Sequence, residues 1–154
     1  MVFQSFLLLH ITGFVIFAGT TFIDVVTFRQ FWKQYSNDKT KAAAVLQAIA
    51  SFPRLMGAGI GLLIISGVGM MAMTHGAFGE QVWFRIKFAL VLILIANLLF
   101  VGRRQSSALR KMLTGDEMVV EEKVSNIKSN LNRFHLVQVL LIFTVLVLSV
   151  FKFN

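Results

Sequence analysis

Four long apolar runs, divided by polar or basic stretches, make up this chain. The first, residues 3–28 (FQSFLLLHITGFVIFAGTTFIDVVTF), contains no Lys or Arg. At 1.5 Å per residue it is long enough to cross a hydrocarbon core of about 30 Å. The others are residues 54–74 (RLMGAGIGLLIISGVGMMAMT), 82–102 (VWFRIKFALVLILIANLLFVG) and 134–151 (FHLVQVLLIFTVLVLSVF). The pattern predicts an all-α, integral membrane four-helix bundle, antiparallel and up-down, formed by residues 1–154 as a single domain. The first run is expected to stay in the mature fold: no basic segment precedes it, it is too long for a signal peptide, and no small-residue cleavage site follows.

Two of the connections carry helical periodicity of their own. Residues 38–51 (DKTKAAAVLQAIAS) are rich in alanine and place Val45, Leu46 and Ile49 on one side, which predicts an amphipathic helix at the membrane surface or a cytoplasmic extension of a span. Residues 116–131 carry Val120, Val124, Ile127 and Leu131 at spacings of 4, 3 and 4, which predicts a second amphipathic helix running directly into the fourth span. Asp116, Glu117, Glu121 and Glu122 near its start suit the positive end of the helix dipole and read as a solvated face. Pro53 is expected in the first turn of the second span, where its missing N–H does no harm. Within that span Gly57 and Gly61 form a small-xxx-small pair, at which a neighbouring backbone or a flat ligand can approach. The glycines here do not form a nucleotide loop, because no strand precedes them.

Composition agrees with the pattern. The chain is 56% hydrophobic and 14% charged, against roughly 25% charged for an ordinary soluble domain. Its segments lack the ten-residue polar–apolar alternation of a membrane β-barrel. With no cysteine, disulfides, thiolate metal sites, iron–sulfur clusters and cysteine nucleophiles are excluded.

The net charge of +8 changes meaning once the basic residues are placed. Arg29, Lys33, Lys39, Lys41 and Arg54 flank the first connection; Arg103, Arg104, Arg110, Lys111, Lys123, Lys128 and Arg133 occupy the long one. Both connections lie on one side of a four-span protein. The positive-inside rule makes that side cytoplasmic, with both termini outside, in a bacterial inner membrane. The charge is then a topology signal and a contact for anionic lipid, not a nucleic-acid surface.

The polar residues inside the spans are the candidate chemistry, since ionisable groups at membrane depth are costly. His10, Phe14, Phe17, Thr21 and Asp24 form one stripe, spaced 4, 3, 4 and 3, that is expected to face the bundle interior. Lys87 lies about six residues inside the third span, at the level of His10 if neighbouring spans are antiparallel. Met71, Met73 and His75 close the second span within about two turns of that level. Near the opposite face Asp24, Asn97, Arg103 and His135 form a second cluster, in which Asp24 pairs most simply with an arginine or with His135. A neutral imidazole in a bundle core is a competent axial haem ligand, and a methionine or second histidine can complete the coordination. The same imidazole can equally be a structural or proton-relay group. The chain contains no HExxH or CxxCH motif.

The four-span layout with His10 in the first span, WFRIKFALVLIL around Lys87 in the third and RFHLVQVLLIFTVLVLSVFKF at the end resembles the small HemJ-type protoporphyrinogen oxidases and related four-span membrane proteins. The resemblance covers nearly the whole chain. It implies a haem b-binding protein that oxidises protoporphyrinogen IX to protoporphyrin IX and passes electrons to a quinone. It also implies that His10 is the haem-iron ligand and that Lys87 contacts the porphyrin or its propionates, both being catalytic. Met71, Met73 and His75 are the further candidates for cofactor contact. The chain departs from the family pattern at TTFIDVVTFRQF, at Ala96 and Asn97, and over residues 136–139. Two other classes are open on the residues alone: a small proton- or ion-coupled transporter module using His10, Asp24 and Lys87, and a non-catalytic membrane scaffold subunit. Four short spans bury little surface between them, so a homodimer is expected.

Overall fold

The computed structural model describes residues 1–74, 81–102, 104, 107–109, 111 and 121–151. Helix α1 is Val2–Tyr35, α2 is Lys39–Ala48, a 3-10 turn covers Ile49–Ser51, and α3 is Phe52–Met73. Helix α4 is Val82–Ala96 and continues as a π-helical stretch over Asn97–Gly102; α5 is Glu121–Val150. Four stretches, Val2–Tyr35, Lys39–Met73, Val82–Leu109 and Glu122–Val150, are long and apolar enough to cross a membrane.

Helix α1 runs seven residues past the apolar run. No glycine or proline stops it after Arg29, and Phe28, Phe31 and Trp32 continue a buried face beyond the point where charge begins. Its 34 residues amount to about 51 Å of helix, well over one hydrocarbon thickness. The overhang is covered by α2. Asp38 caps that helix by accepting hydrogen bonds from the Thr40 and Lys41 backbone N–H groups at 2.9 and 3.3 Å. Pro53 sits in the first turn of α3, as its chemistry requires.

Two apolar cores result. One joins Phe28, Phe31 and Trp32 of α1 to Ala42 and Leu46 of α2, Ile49, Leu109, and Ile127 and Leu131 of α5. The alanine-rich segment is therefore folded onto α1 through the side that carries Leu46 and Ile49. Helix α5 is one uninterrupted helix of 30 residues, so the described part of the amphipathic segment does run into the fourth apolar stretch. Its first part, with Asp116, Glu117 and Val120, lies outside the described residues, as do Arg103 and Arg110. The second core joins Phe17 and Ala18 of α1, Met56 and Ile60 of α3, Leu94 of α4 and Ile142 of α5.

Helices α1 and α3 share the most extensive interface. A Cβ added at Gly13 would stand 2.9 Å from the Gly59 carbonyl oxygen, and one at Gly59 would stand 2.9 Å from that of Gly13. The small-residue contact thus falls at Gly59 and not at Gly57 and Gly61, whose Cβ positions meet nothing within 4 Å. Two residues of helix are a turn of about 200°, which puts the two sets of glycines on opposite faces. Helix α4 is the peripheral element: 6% of the apolar window in Val82–Leu109 is buried, against 28% in α1. It meets α5, through contacts that include Gly102 against the Phe134 ring.

Candidate functional site

His10 reaches across the α1–α3 interface. Its Nδ1 lies 2.9 Å from the Ser66 hydroxyl, and Ser66 is completely buried. That hydroxyl has one proton. With that proton on the Leu62 or Leu63 carbonyl, the Ser66 oxygen accepts from Nδ1–H, and in that tautomer Nε2 keeps its lone pair. Gly67 lies beside the ring: a Cβ there would be 3.6 Å from the imidazole Cε1, in ordinary van der Waals contact. One turn nearer the N-terminus the Phe6 ring fills the space over Gly69, where a Cβ would be 2.4 Å from it. Ser66 was not among the candidates read from the sequence. Its signal is weak, a single hydroxyl in an apolar glycine-rich span, and such a residue commonly bonds its own helix backbone.

Lys87 on α4 is half-buried and stands within electrostatic reach of His10. No carboxylate pairs with it among the described residues. Trp83, one turn away, is buried and donates its indole N–H to the Gln81 side chain. Met71 and Met73 are exposed on the last turn of α3. Counted from Ser66 at 100° per residue, Met71 is turned about 140° away from His10, and Met73 shares its face but lies about 10 Å further along. His75 lies outside the described residues.

Toward the basic end of the bundle a second polar group is assembled. His135 Nε2 of α5 lies 3.1 Å from Asp24 Oδ2 of α1, and both residues are buried. The imidazole is held between the Phe28 and Phe134 rings, with centroids 5.1 and 5.2 Å away. His135 is thus brought to Asp24, while Arg103, the arginine of that cluster, lies outside the described residues. Asn97 does not join that pair. It lies in the π-helical stretch and donates to Gln138 Oε1 at 2.9 Å, and the fully buried Gln138 has no partner for its Nε2. Single π-turns recur at functional positions, because the extra residue re-aims the side chains that follow.

Beside this cluster is a groove of about 610 Å³ between α3 and the π-helical stretch. Asp24, Phe28, Phe52, Gly57, Gly61 and Phe134 are among its walls. Among the described residues no group of three or more His, Asp or Glu side chains is arranged to hold a bare metal ion. No protein-family model, curated protein or solved structure matches the chain.

Proposed function

We propose that the chain is a haem b- or porphyrin-binding protein of a bacterial inner membrane, an antiparallel bundle with both termini outside and its basic connections in the cytoplasm. The observation that carries this reading is the His10–Ser66 pair. An imidazole whose Nδ1–H is held by a buried acceptor presents Nε2 in a fixed tautomer and direction, the arrangement expected of an axial ligand. The fit is to one axial bond. Lys87 supplies the cation that a porphyrin carboxylate needs at that level, as a point charge on a flexible stem. Met71 and Met73 stand too far from the His10 ring to complete the same coordination without rearrangement of the end of α3.

A bound haem supplies one-electron redox chemistry that the side chains lack. The reaction proposed here is oxidation of protoporphyrinogen IX to protoporphyrin IX, with a membrane quinone as electron acceptor. In that reaction His10 would hold the iron and Lys87 would hold the substrate by its carboxylates. The nearly bare surface of α4 supports a homodimer in which a second copy covers it.

The test is an absorption spectrum of the protein in mild detergent, oxidised and then reduced with dithionite. A Soret band with sharp reduced α and β bands, near one equivalent and lost in His10→Ala, is the expected result. A folded, colourless protein unchanged by added hemin would overturn the reading. The buried Asp24–His135 pair favours, as second reading, a proton- or ion-coupled module. That reading predicts a colourless protein whose proton flux in vesicles is lost in Asp24→Asn.

A further inference from the structure

We propose that the groove beside Asp24 is a binding site for a membrane-soluble hydroquinone, an aromatic ring carrying hydroxyl groups on an apolar tail. The volume of about 610 Å³ falls within the roughly 300–1,000 Å³ of small-molecule sites. Among the described residues its lining is apolar except at Asp24 and Ser107. Such a composition suits a ligand that is mostly hydrocarbon with a small polar head.

Asp24 defines the head. Its residue is 8% exposed, its Oδ2 is taken by His135, and among the described residues it has no other side-chain partner. A buried carboxylate with unused acceptor capacity favours an O–H donor, because an acceptor left unpaired carries its desolvation cost. A cationic head is less well matched. His135 already stands against the carboxylate, and the chain carries a net charge of +8. The walls select the shape of the head. Phe28, Phe52 and Phe134 present three phenyl rings to the groove, and aromatic rings pair by edge or offset face with another ring.

The lining leaves room for a tail. Gly57 and Gly61, where a Cβ would meet nothing within 4 Å, line the groove together with Ile64 of α3 and Leu99 of the π-helical stretch. Those two residues are 45% and 41% exposed, so the lining reaches the apolar surface that such a bundle turns toward lipid. The two glycines that do not serve helix packing thus keep a channel open between the carboxylate and the bilayer. The site is separate from His10. Asp24 lies 14 residues further along α1, about 21 Å at 1.5 Å per residue, so hydroquinone binding does not rest on the haem reading.

The experiment uses the full chain in mild detergent, with a decyl-substituted hydroquinone kept reduced and its dimethyl ether as control, titrated by calorimetry. The expected result is saturable binding of one equivalent, with the dimethyl ether weaker by roughly tenfold or more, as loss of a recognised hydroxyl requires. Gly61→Leu, whose Cβ meets nothing within 4 Å and whose branch extends into the groove, is expected to weaken the hydroquinone to a similar degree while leaving the thermal transition in place. Asp24→Asn weakens it as well. Equal binding of the dimethyl ether, or wild-type affinity in Gly61→Leu, would overturn the proposal, as would equal displacement by a decyl chain without a ring. His10→Ala separates the two readings: it removes haem and leaves hydroquinone binding unchanged.

Discussion

Gly13 of α1 and Gly59 of α3 approach so closely that a Cβ on either would stand 2.9 Å from the other's carbonyl oxygen. The obstructing atoms are backbone or Cβ atoms, including the Phe17 amide nitrogen at 2.9 Å from a Gly59 Cβ, so no side-chain rotation relieves them. Gly59→Ala must push the helices apart. It is expected to destabilise by about 1 to 3 kcal/mol, the usual range for overpacking. Gly57→Ala, whose Cβ meets nothing, is expected to be neutral or to stabilise by up to about 1 kcal/mol through helix propensity. Thermal unfolding of both variants in one detergent, side by side, checks the contrast. Equal transitions would mean that the interface does not run through Gly59.

The Asp24–His135 pair crosses from α1 to α5 with both side chains close to fully buried. Removing one member strands the other in an apolar core, which typically costs about 3 to 5 kcal/mol, whereas replacing both by apolar groups of similar size is often near neutral. Asp24→Leu and His135→Leu are each expected to unfold at markedly lower temperature, with the double variant recovering most of the loss. Additive losses in that cycle would show that the two side chains do not act on each other.

Ser66 is expected to tune His10 without touching what His10 binds. Ser66→Ala removes the acceptor of Nδ1–H and should lower haem affinity by roughly 10- to 100-fold, the usual effect of losing such a partner of a ligating histidine. Ser66→Thr should retain most of it. The readout is hemin titration followed by the Soret band. A general packing defect would instead lower the thermal transition and leave the affinity of the folded fraction unchanged.

Asp38 predicts a pH dependence at the start of α2. The hydrogen bond from the Lys41 backbone N–H holds its carboxyl below the ordinary value of 3.8, with Thr40 N–H and the Lys41 ammonium adding to it. A carboxyl whose folded value is depressed stabilises the fold fully above its unfolded value, and that contribution is lost as pH falls through the folded one. Acidification below the ordinary carboxylate value should therefore loosen α2 from α1 in the wild type. Asp38→Asn, which still caps, should lack that acid-sensitive step; Asp38→Ala should be weakened at every pH. Unfolding followed by Trp32 fluorescence reads this directly, because that indole is buried in the core α2 closes.

Much of the architecture is legible along the chain. The apolar runs, Pro53 in the first turn of α3 and the two amphipathic segments are local properties, set by hydropathy, backbone chemistry and period. The stripe of His10, Phe14, Phe17, Thr21 and Asp24 also reads correctly as a face: Phe17, Thr21 and Asp24 are buried, and His10 and Phe14 are half-buried. The end of α1 was less legible, because hydropathy falls at Arg29 while Phe31 and Trp32 continue the buried face. Nothing in the local pattern says that α2 will fold back to cover those rings.

The chemistry of the buried groups depends on partners far away in sequence. His10 and Ser66 are 56 residues apart, and Asp24 and His135 are 111 apart. The amino-acid sequence by itself determined that polar groups lie inside apolar helices and on which faces, because helical period is a local property. Only the tertiary structure decided that Ser66 is the partner of His10 Nδ1, that His135 is a partner of Asp24, that Asn97 turns to Gln138, and that Gly59 packs while Gly57 and Gly61 stay open. Each of those outcomes is set by the rotation and offset of one helix against another, and a shift of a single residue in that register would turn a helix by about 100° and exchange one set of partners for the next.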